Sequence, residues 1–156
     1  MTIATTIEKY LTSHHVAYDI ISHPRTPTSL KTAQAAEIEA DCVAKAVLLE
    51  DDAGYMVAVL PASHHLQLNE LQREVGRTLH MAAENEIGQV FRDCDSGAIP
   101  ALGTAYGVDT IWEECLTEHP DIYFEAGDHE RLVHVKTADF MELLQDARHG
   151  HFSSAR

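Results

Sequence analysis

Residues 43–61 read VAKAVLLEDDAGYMVAVLP, and no other segment constrains the fold as strongly. Its two apolar runs, Ala44–Leu49 and Tyr55–Leu60, enclose a polar stretch that ends at Gly54. Two apolar runs joined by a glycine-terminated polar turn are typical of a β-hairpin, and Pro61 ends the second strand because proline cannot continue a ladder. The pattern therefore predicts a pair of antiparallel strands near the middle of the sequence.

Apolar residues at helical or alternating spacing predict the elements on either side of this hairpin. Thr28 or Ser29 is a suitable N-cap, since its hydroxyl can accept a backbone N–H, and Gly76 is a natural residue to follow a helix. The predicted helices cover residues 3–14, 31–40, 66–75, 84–91 and 137–144. The predicted strands outside the hairpin cover residues 16–22, 78–83, 108–112, 122–125 and 132–135.

The mixture of hairpins and helices over 156 residues, without repeats or a linker, predicts a single domain of the α+β (mixed α/β) class. We expect this domain to occupy residues 1–148. The remaining residues, 149–156, carry no apolar pattern, and we expect them to form a frayed tail.

The charge balance restricts the partners that this chain can bind. Lys and Arg number 11 against 25 Asp and Glu, which gives a formal net charge of −14. Such a molecule is repelled by duplex DNA and by anionic membranes. The three cysteines are far apart, no apolar run is long enough to span a bilayer, and the first residues lack the features of a signal peptide. We therefore expect a cytoplasmic protein.

Common catalytic and metal-binding motifs are missing from the sequence. The paired histidines, His14–His15 and His64–His65, are adjacent, whereas zinc ligands usually lie three to six positions apart. Neither a Gly-x-Ser-x-Gly elbow nor a phosphate-binding glycine loop occurs. The sequence therefore predicts no metal and no cofactor, although distant ligands can still converge in a fold.

One lysine and one loop remain as candidates for chemistry. Lys45 lies within an apolar strand and shares a face with Val47 and Leu49, where a charge is costly unless it meets an anionic partner. The alternative is that Lys45 reaches water at the mouth of the strand. The segment 96–103 is built from small residues whose backbone N–H groups can converge on one oxygen, as in an oxyanion site, and its alternative is an ordinary wide turn.

A small basic spot is also predicted on this acidic molecule. Arg25, Lys31 and Lys45 come close together if the loop after the first strand lies beside the hairpin. Such a spot suits one or two phosphates rather than a duplex. The three residues can equally be scattered over the surface.

These residues resemble those of the YbaK-type domain, which is related to the editing insertion of bacterial prolyl-tRNA synthetases. The similarity covers about residues 3–144 and rests on an ordered set of loose motifs. These are residues 23–29 (HPRTPTS), Ala33, Ala35 and Ala36, 43–49 (VAKAVLL), 57–61 (VAVLP), 97–103 (GAIPALG) and 123–127 (YFEAG).

The resemblance implies a mixed, curled sheet flanked by helices around a substrate pocket, and hydrolysis in trans of the ester that joins a wrong amino acid to tRNA. Lys45 matches the signature lysine of the family, and Gly97 and Pro100 match its glycine–proline loop. An aminoacyl ester is already activated, so positioning and oxyanion stabilisation suffice without a metal or a serine triad. Our hypothesis from the residues and the resemblance together assigns Lys45, Gly97, Ala98 and Ile99 to catalysis, His23, Thr28, Ser29, Asp95, Pro100 and Gly103 to the substrate, and Arg25 and Lys31 to tRNA, with loop capping as the alternative role of Asp95.

The chain departs from the family at one position. Many members carry glycine four residues before the proline, where this sequence has Ser96, and this change affects the shape of the pocket. The expected partner is the aminoacylated 3′ end of tRNA, bound weakly, with docking on a synthetase or elongation factor as a supplement. The other hypothesis is a non-catalytic module that binds an amino acid or a protein segment in the same pocket. The sequence does not specify the oligomeric state or the amino acid removed.

Overall fold

The computed structural model describes residues 3–95 and 97–155, which contain five α-helices and ten β-strands. The helices are α1 (Thr5–Ser13), α2 (Ser29–Ala35), α3 (Leu68–Val75), α4 (Glu84–Val90) and α5 (Thr137–Leu143). The strands are β1 (Asp19–Ser22), β2 (Val43–Asp51), β3 (Gly54–Pro61), β4 (His64–Leu66), β5 (His80–Met81), β6 (Asp109–Glu113), β7 (Asp121–Glu125), β8 (Arg131–Lys136), β9 (Arg148–Gly150) and β10 (Ser153–Ala155). No described helix has the length and apolar character needed to cross a membrane.

Eight of these strands form one mixed sheet, and its order is β1-β8-β7-β2-β3-β6-β9 with β5 paired to β2. The predicted hairpin lies at its centre, where β2 and β3 pair antiparallel from Ala44 opposite Pro61 to Asp51 opposite Gly54. The carboxylate of Asp51 accepts the backbone N–H groups of Ala53 and Gly54, which closes the turn. The remaining strands, β4 and β10, form a separate antiparallel pair. The α+β class and the single-domain fold are confirmed.

One edge of β2 is divided between two partners. β7 runs parallel to its first residues, Val43 and Ala44, whereas β5 pairs with Leu49 and Glu50 at its other end. Residues 45–47 therefore lie where β7 has left β2 and β5 has not yet joined it. Ligand sites often lie where neighbouring strands diverge in this way. This opening in the sheet is where Lys45 begins.

Apolar side chains cover both faces of the central hairpin, as alternation along a strand requires. One face packs on α1, α4 and α5, and its buried members include Ala44, Leu48, Val57, Val59, Ile7, Leu11 and Phe140. The opposite face packs on α3 through Leu49, Met56, Ala58, Leu60 and Leu71. A small third group joins Val43 to Ala33 of α2 and to Ala62. Lys45 lies on this second face, between the third group and the α3 cluster.

Helix α2 begins as predicted but is shorter than predicted. The hydroxyl of Thr28 accepts the backbone N–H of Lys31 at 3.2 Å, which identifies Thr28 as the N-cap. The helix ends at Ala35 rather than at residue 40 because Glu37 turns the chain with a φ of +58°. The N–H of Ile38 then closes the end by donating to the carbonyl of Ala33 at 2.9 Å. Residues 40–42 continue as a 3₁₀ turn.

The prediction of a frayed tail is wrong for residues 149–155. β9 pairs parallel to β6, β10 pairs with β4, and Phe152 between them is 1% exposed. The buried carboxylate of Glu113 accepts the backbone N–H groups of Phe152 and Ser153 at 2.9 and 2.8 Å. Short strands of this kind lack apolar periodicity, because backbone pairing and one buried aromatic hold them in place. The glycine-rich stretch after residue 92 also contains a 3₁₀ turn, Gly103–Tyr106, where no regular element was predicted.

Candidate functional site

Three loops converge at one end of the sheet and form a cleft. They are residues 23–28 after β1, Asp95 with residues 97–100, and the turn 127–130 between β7 and β8. Backbone hydrogen bonds join them: the N–H of Asp95 donates to the carbonyl of Gly127 at 2.7 Å, and that of His23 donates to Glu130 at 2.9 Å. The cleft between them has a volume of about 430 Å³ and is lined by Arg25, Thr26, Pro27 and His129. The cleft is therefore large enough for a small ligand, and its lining combines a few polar groups with apolar surface.

Gly97 lies against this cleft in a conformation that favours glycine. Its φ is +81°, and a Cβ atom at this position would lie 3.1 Å from Cε1 of His129 and 3.8 Å from the carbonyl oxygen of Pro27. Any other residue at this position would therefore meet both backbone strain and a steric clash. Gly97 brings the backbone of its loop directly onto the imidazole ring.

The turn that carries His129 is held by Asp128. Its carboxylate Oδ1 accepts the backbone N–H groups of Glu130 and Arg131, each at 3.0 Å, and its other oxygen pairs with the Arg131 guanidinium. His129 itself has a φ of +63° and is 7% exposed. A non-glycine residue in this conformation is uncommon and is held by its surroundings. The turn therefore fixes the imidazole at the wall of the cleft.

Behind the cleft wall lies the buried carboxyl group of Glu125. Thr32 donates to its Oε1 at 2.9 Å and also shares a short hydrogen bond with Thr26, which lines the cleft. Burial raises the pKa of Glu125, because a charged carboxylate loses its hydration there. The other oxygen, Oε2, is buried and has no hydrogen-bond partner among the residues that the structure describes. The Thr26–Thr32–Glu125 chain thus connects the cleft to the strand β7.

His23 contributes a second buried polar atom to this region. Its Nδ1 lies 2.7 Å from the carbonyl oxygen of Pro24, and only an N–H can make that bond. In the neutral ring Nε2 is therefore an acceptor, and within the described residues 3–95 and 97–155 this buried atom has no hydrogen-bond partner. Buried polar atoms are seldom left unsatisfied, so Nε2 is a candidate acceptor for a polar ligand.

Lys45 reaches the opening in the sheet from β2. Because Val43 is opposite Tyr123 in the parallel register, Lys45 and Glu125, two residues further along each strand, lie on the same face. The Lys45 ammonium donates to the backbone carbonyl of His64 at 2.8 Å. Its side chain is half-buried. The predicted position on the apolar face is thus confirmed, and the charge is directed along that face toward the first residue of β4.

The three residues of the predicted basic spot have different surroundings from those expected. Arg25, Lys31 and Lys45 lie on separate elements: the loop after β1, helix α2 and strand β2. The Arg25 guanidinium donates to the carbonyl of Asp128 at 3.3 Å and lies 3.7 and 4.0 Å from the carboxylates of Asp95 and Glu130. It therefore holds the cleft loops together, amid negative charge. Lys31 is exposed on α2.

Residues of the 95–103 segment divide between the cleft and the core. The N–H of Ala98 already donates to the carbonyl of Asp95 at 3.1 Å, so it forms part of a turn. Ile99 is half-buried and Pro100 is buried. Gly103 was predicted to contact substrate, but a Cβ there would lie 2.5 Å from Oγ1 of Thr110, which makes it a packing residue. Ser96 lies outside the described residues.

Thr28 and Ser29 were predicted to line the pocket. Thr28 acts as the N-cap of α2, so its hydroxyl is engaged with that helix. Ser29 is the first residue of α2 and is half-buried. Asp95 is exposed and bridges two cleft loops through its backbone and its contact with Arg25.

The sequence analysis missed His129, Glu125, Thr26 and Thr32 as site residues. Glu125 was included only as part of the motif 123–127, which stops two residues before His129. A buried acidic residue at the end of an apolar strand is a signal that was available, since a carboxyl group is seldom buried without a partner. Thr26 and Thr32 gave no such signal, because their proximity depends on the start of α2.

Comparisons with known proteins agree with this architecture. The sequence profile of the aminoacyl-tRNA editing domain matches residues 23–143. Among solved structures, a candidate trans-editing enzyme for prolyl tRNA synthetase superposes with a TM-score of 0.83 at 19% identity, over 97% of each chain. A scaffold protein for epitope backbone grafting gives a TM-score of 0.82 at 17% identity, over 98% of this chain and 97% of that one.

A third similar structure is a longer protein. It is described as a signal transduction candidate from Marinobacter aquaeolei VT8, and it matches with a TM-score of 0.79 at 21% identity, over 95% of this chain and 30% of that chain. No curated protein matches. At these identities the structures establish the fold, while the profile covers most of the chain. This chain belongs to the aminoacyl-tRNA editing domain family.

Proposed function

We propose that this protein hydrolyses, in trans, the ester bond of mischarged aminoacyl-tRNA, with the reaction at the three-loop cleft. The observation that carries the proposal is the arrangement at Gly97. A left-handed glycine places the loop backbone against the His129 imidazole, on the rim of a cleft of about 430 Å³. Backbone amides of such a loop can stabilise the oxyanion that forms as water attacks an ester.

The roles follow from what each group can do. The N–H groups of Gly97 and Ile99 are the proposed oxyanion donors, since the N–H of Ala98 is engaged in the turn. The Lys45 ammonium provides the positive charge for the terminal phosphate or the substrate carbonyl, and it would exchange the His64 carbonyl for the substrate. Water is the attacking group, aided by a ribose hydroxyl. No resident metal or cofactor is needed for this chemistry.

The polar atoms behind the cleft suit an aminoacyl group. Such a group carries both an ammonium and a carbonyl. In the described part of the chain, Oε2 of Glu125 and Nε2 of His23 are buried atoms that no other group hydrogen-bonds. Together with Thr26 they would orient the amino acid. Small changes in side-chain size are discriminated weakly by a pocket of this kind, by roughly 1–3 kcal/mol per methylene. Which amino acid is removed must therefore be measured.

Binding to tRNA is expected to be weak and local. The net charge of −14 opposes contact with a polyanion, and Arg25 lies between two carboxylates. We propose that Lys31 and Lys45 make a few contacts to the 3′ end of the tRNA. Docking on a synthetase or elongation factor supplements these contacts. Nanomolar binding of uncharged tRNA at physiological salt would contradict this part.

The test is deacylation of a panel of aminoacyl-tRNAs, including mischarged prolyl-acceptor tRNA, by the wild type and Lys45→Ala. We expect release of one amino acid, reduced about 100-fold or more in the variant. Lys9→Ala removes an exposed lysine on α1 and is the matched control. Undiminished turnover by Lys45→Ala would refute the mechanism. If the folded wild type releases nothing across the panel, the pocket belongs to a non-catalytic binding module.

A further inference from the structure

A second group of chemically active side chains lies outside the cleft. Among the residues that the structure describes, Glu39, Cys42 and His119 place a carboxylate oxygen, a thiol sulfur and an imidazole nitrogen within 4.8 Å of one another. Glu39 precedes the 3₁₀ turn that leads into β2 and Cys42 is its last residue, while His119 follows the 3₁₀ turn before β7. The sequence gives no hint of this group, because His119 is distant in the chain.

The separations are close to those of a zinc site. Zinc binds Cys, His and Glu at about 2.0–2.3 Å in a tetrahedron, which places the ligand atoms roughly 3.3–3.8 Å apart. Each side chain would therefore move inward by about 1 Å or less. The backbone on both sides is already fixed: the N–H of Cys42 donates to the carbonyl of Glu39 at 2.9 Å, and Thr137 donates to the carbonyl of His119.

The surrounding charges favour a cation. The carboxylates of Glu39, Asp41 and Asp121 lie near the Cys42 thiol. A divalent cation is attracted by these negative charges and stabilises the thiolate directly. Oδ2 of Asp41 lies 4.0 Å from Nε2 of His119, and Ser63 donates to its other oxygen. Asp41 is thus placed either as a fourth ligand or as the carboxylate that orients the histidine.

We propose that Glu39, Cys42 and His119 form a binding site for a borderline-soft divalent cation, with zinc as the first candidate and Asp41 or water in the fourth position. The site joins the start of β2 to the loop before β7. These are the two strands that diverge at Lys45, three residues after Cys42. The bound cation would stabilise the fold there rather than take part in hydrolysis.

The experiment is titration of the full chain with Zn²⁺ by calorimetry and with Co²⁺ by absorption. We expect one tight equivalent, a thiolate-to-cobalt charge-transfer band, and a rise in Tm when Zn²⁺ is added. Cys42→Ser should abolish the band, and Cys42→Ser and His119→Ala should each weaken Zn²⁺ binding by about tenfold or more. Cys94→Ser and His149→Ala are the matched controls, and both should bind like the wild type.

Glu39→Gln should leave the stability of the unliganded protein unchanged, because Glu39 is exposed. It should keep the unliganded Tm and lose most of the Tm shift with Zn²⁺. A site of this donor set should be filled at about 100 μM Zn²⁺, so no binding by the wild type at that concentration would overturn the proposal. Zn²⁺ binding that is unchanged in both Cys42→Ser and His119→Ala would also overturn it. Deacylation by Cys42→Ser should be unchanged. The outcome of the Zn²⁺ titration is therefore independent of the outcome of the deacylation assay with Lys45→Ala.

Discussion

The ammonium group of Lys45 donates a hydrogen bond to the backbone carbonyl of His64 at 2.8 Å. That carbonyl belongs to β4, which is outside the main sheet and pairs with β10 near the end of the chain. His64 is also joined through Nδ1 to the hydroxyl of Ser153 at 2.8 Å, and this hydroxyl donates to Glu113 at 2.8 Å. The position of the candidate catalytic lysine therefore depends on the tail.

Glu113→Ala tests this dependence. The substitution leaves the buried N–H groups of Phe152 and Ser153 without an acceptor, so we expect the free energy of unfolding to fall by about 2–4 kcal/mol. Deacylation should also fall, because β10 no longer holds β4. The measurements are urea unfolding and kcat on the substrate that the panel identifies. Glu114→Ala, which removes only an exposed ion pair with His149, should change stability by less than about 0.5 kcal/mol.

Gly97→Ala should impair the cleft more than it impairs the fold. A Cβ there meets the His129 ring at 3.1 Å in addition to the strain of a positive φ. We expect kcat/KM for deacylation to fall about 10–100-fold. Gly107→Ala is the control, because its φ of +71° imposes similar strain but its Cβ would meet nothing within 4 Å. Equal deacylation activity of the two variants would show that Gly97 is not part of the site.

Gly103→Ala should damage the core instead. Its Cβ would overlap Oγ1 of Thr110 at 2.5 Å and Cγ2 of Val57 at 2.8 Å, so we expect a loss of about 3 kcal/mol in thermal or urea unfolding. Gly88→Ala lies in α4 with open space around it and should raise stability by up to about 1 kcal/mol. A stable, inactive Gly103→Ala protein would instead support the original assignment to the substrate pocket.

Asp51 should make stability depend on acid pH. Two hydrogen bonds from Arg77, together with the turn amides of Ala53 and Gly54, lower the pKa of Asp51 from 3.8 to about 2. A carboxyl group whose pKa is lowered in the folded state stabilises the protein at a pH above its pKa in the unfolded state. This stabilisation is lost as the pH falls through the pKa of the folded state. The stability difference between the wild type and Asp51→Asn should therefore be constant above about pH 5 and shrink toward pH 2. A difference independent of pH in urea unfolding would contradict this assignment.

Local patterns were sufficient to predict most elements of the fold. The hairpin, the Thr28 cap and Gly76 depend on neighbouring residues, so the sequence could identify them. Gly76 follows α3 with a φ of +68°, as predicted for a helix-ending glycine. The tail could not be predicted, because β9 and β10 are held by partners about 40 or more residues away, among them Glu113.

The site was predictable only in part, for the same reason. Lys45 is conspicuous because a charge interrupts an apolar strand. His129 and Glu125 become neighbours of the cleft only when the turn at 127–130 meets the loop after β1. The ligand set of Glu39, Cys42 and His119 likewise combines a local pair with a residue from the far half of the chain.

The pairing of β1 with β8 has a consequence for how the protein folds. Asp19 lies opposite His134, and the hydrogen bond between their side chains spans 115 positions in the sequence. Pairings of such long range form slowly, because the chain entropy lost in closing the loop is not recovered until the strands meet. We therefore expect the first strand to dock after the hairpin and the β7–β8 pair have formed. Since residues 23–29 follow β1 directly, we expect the cleft to be among the last parts of the molecule to assemble.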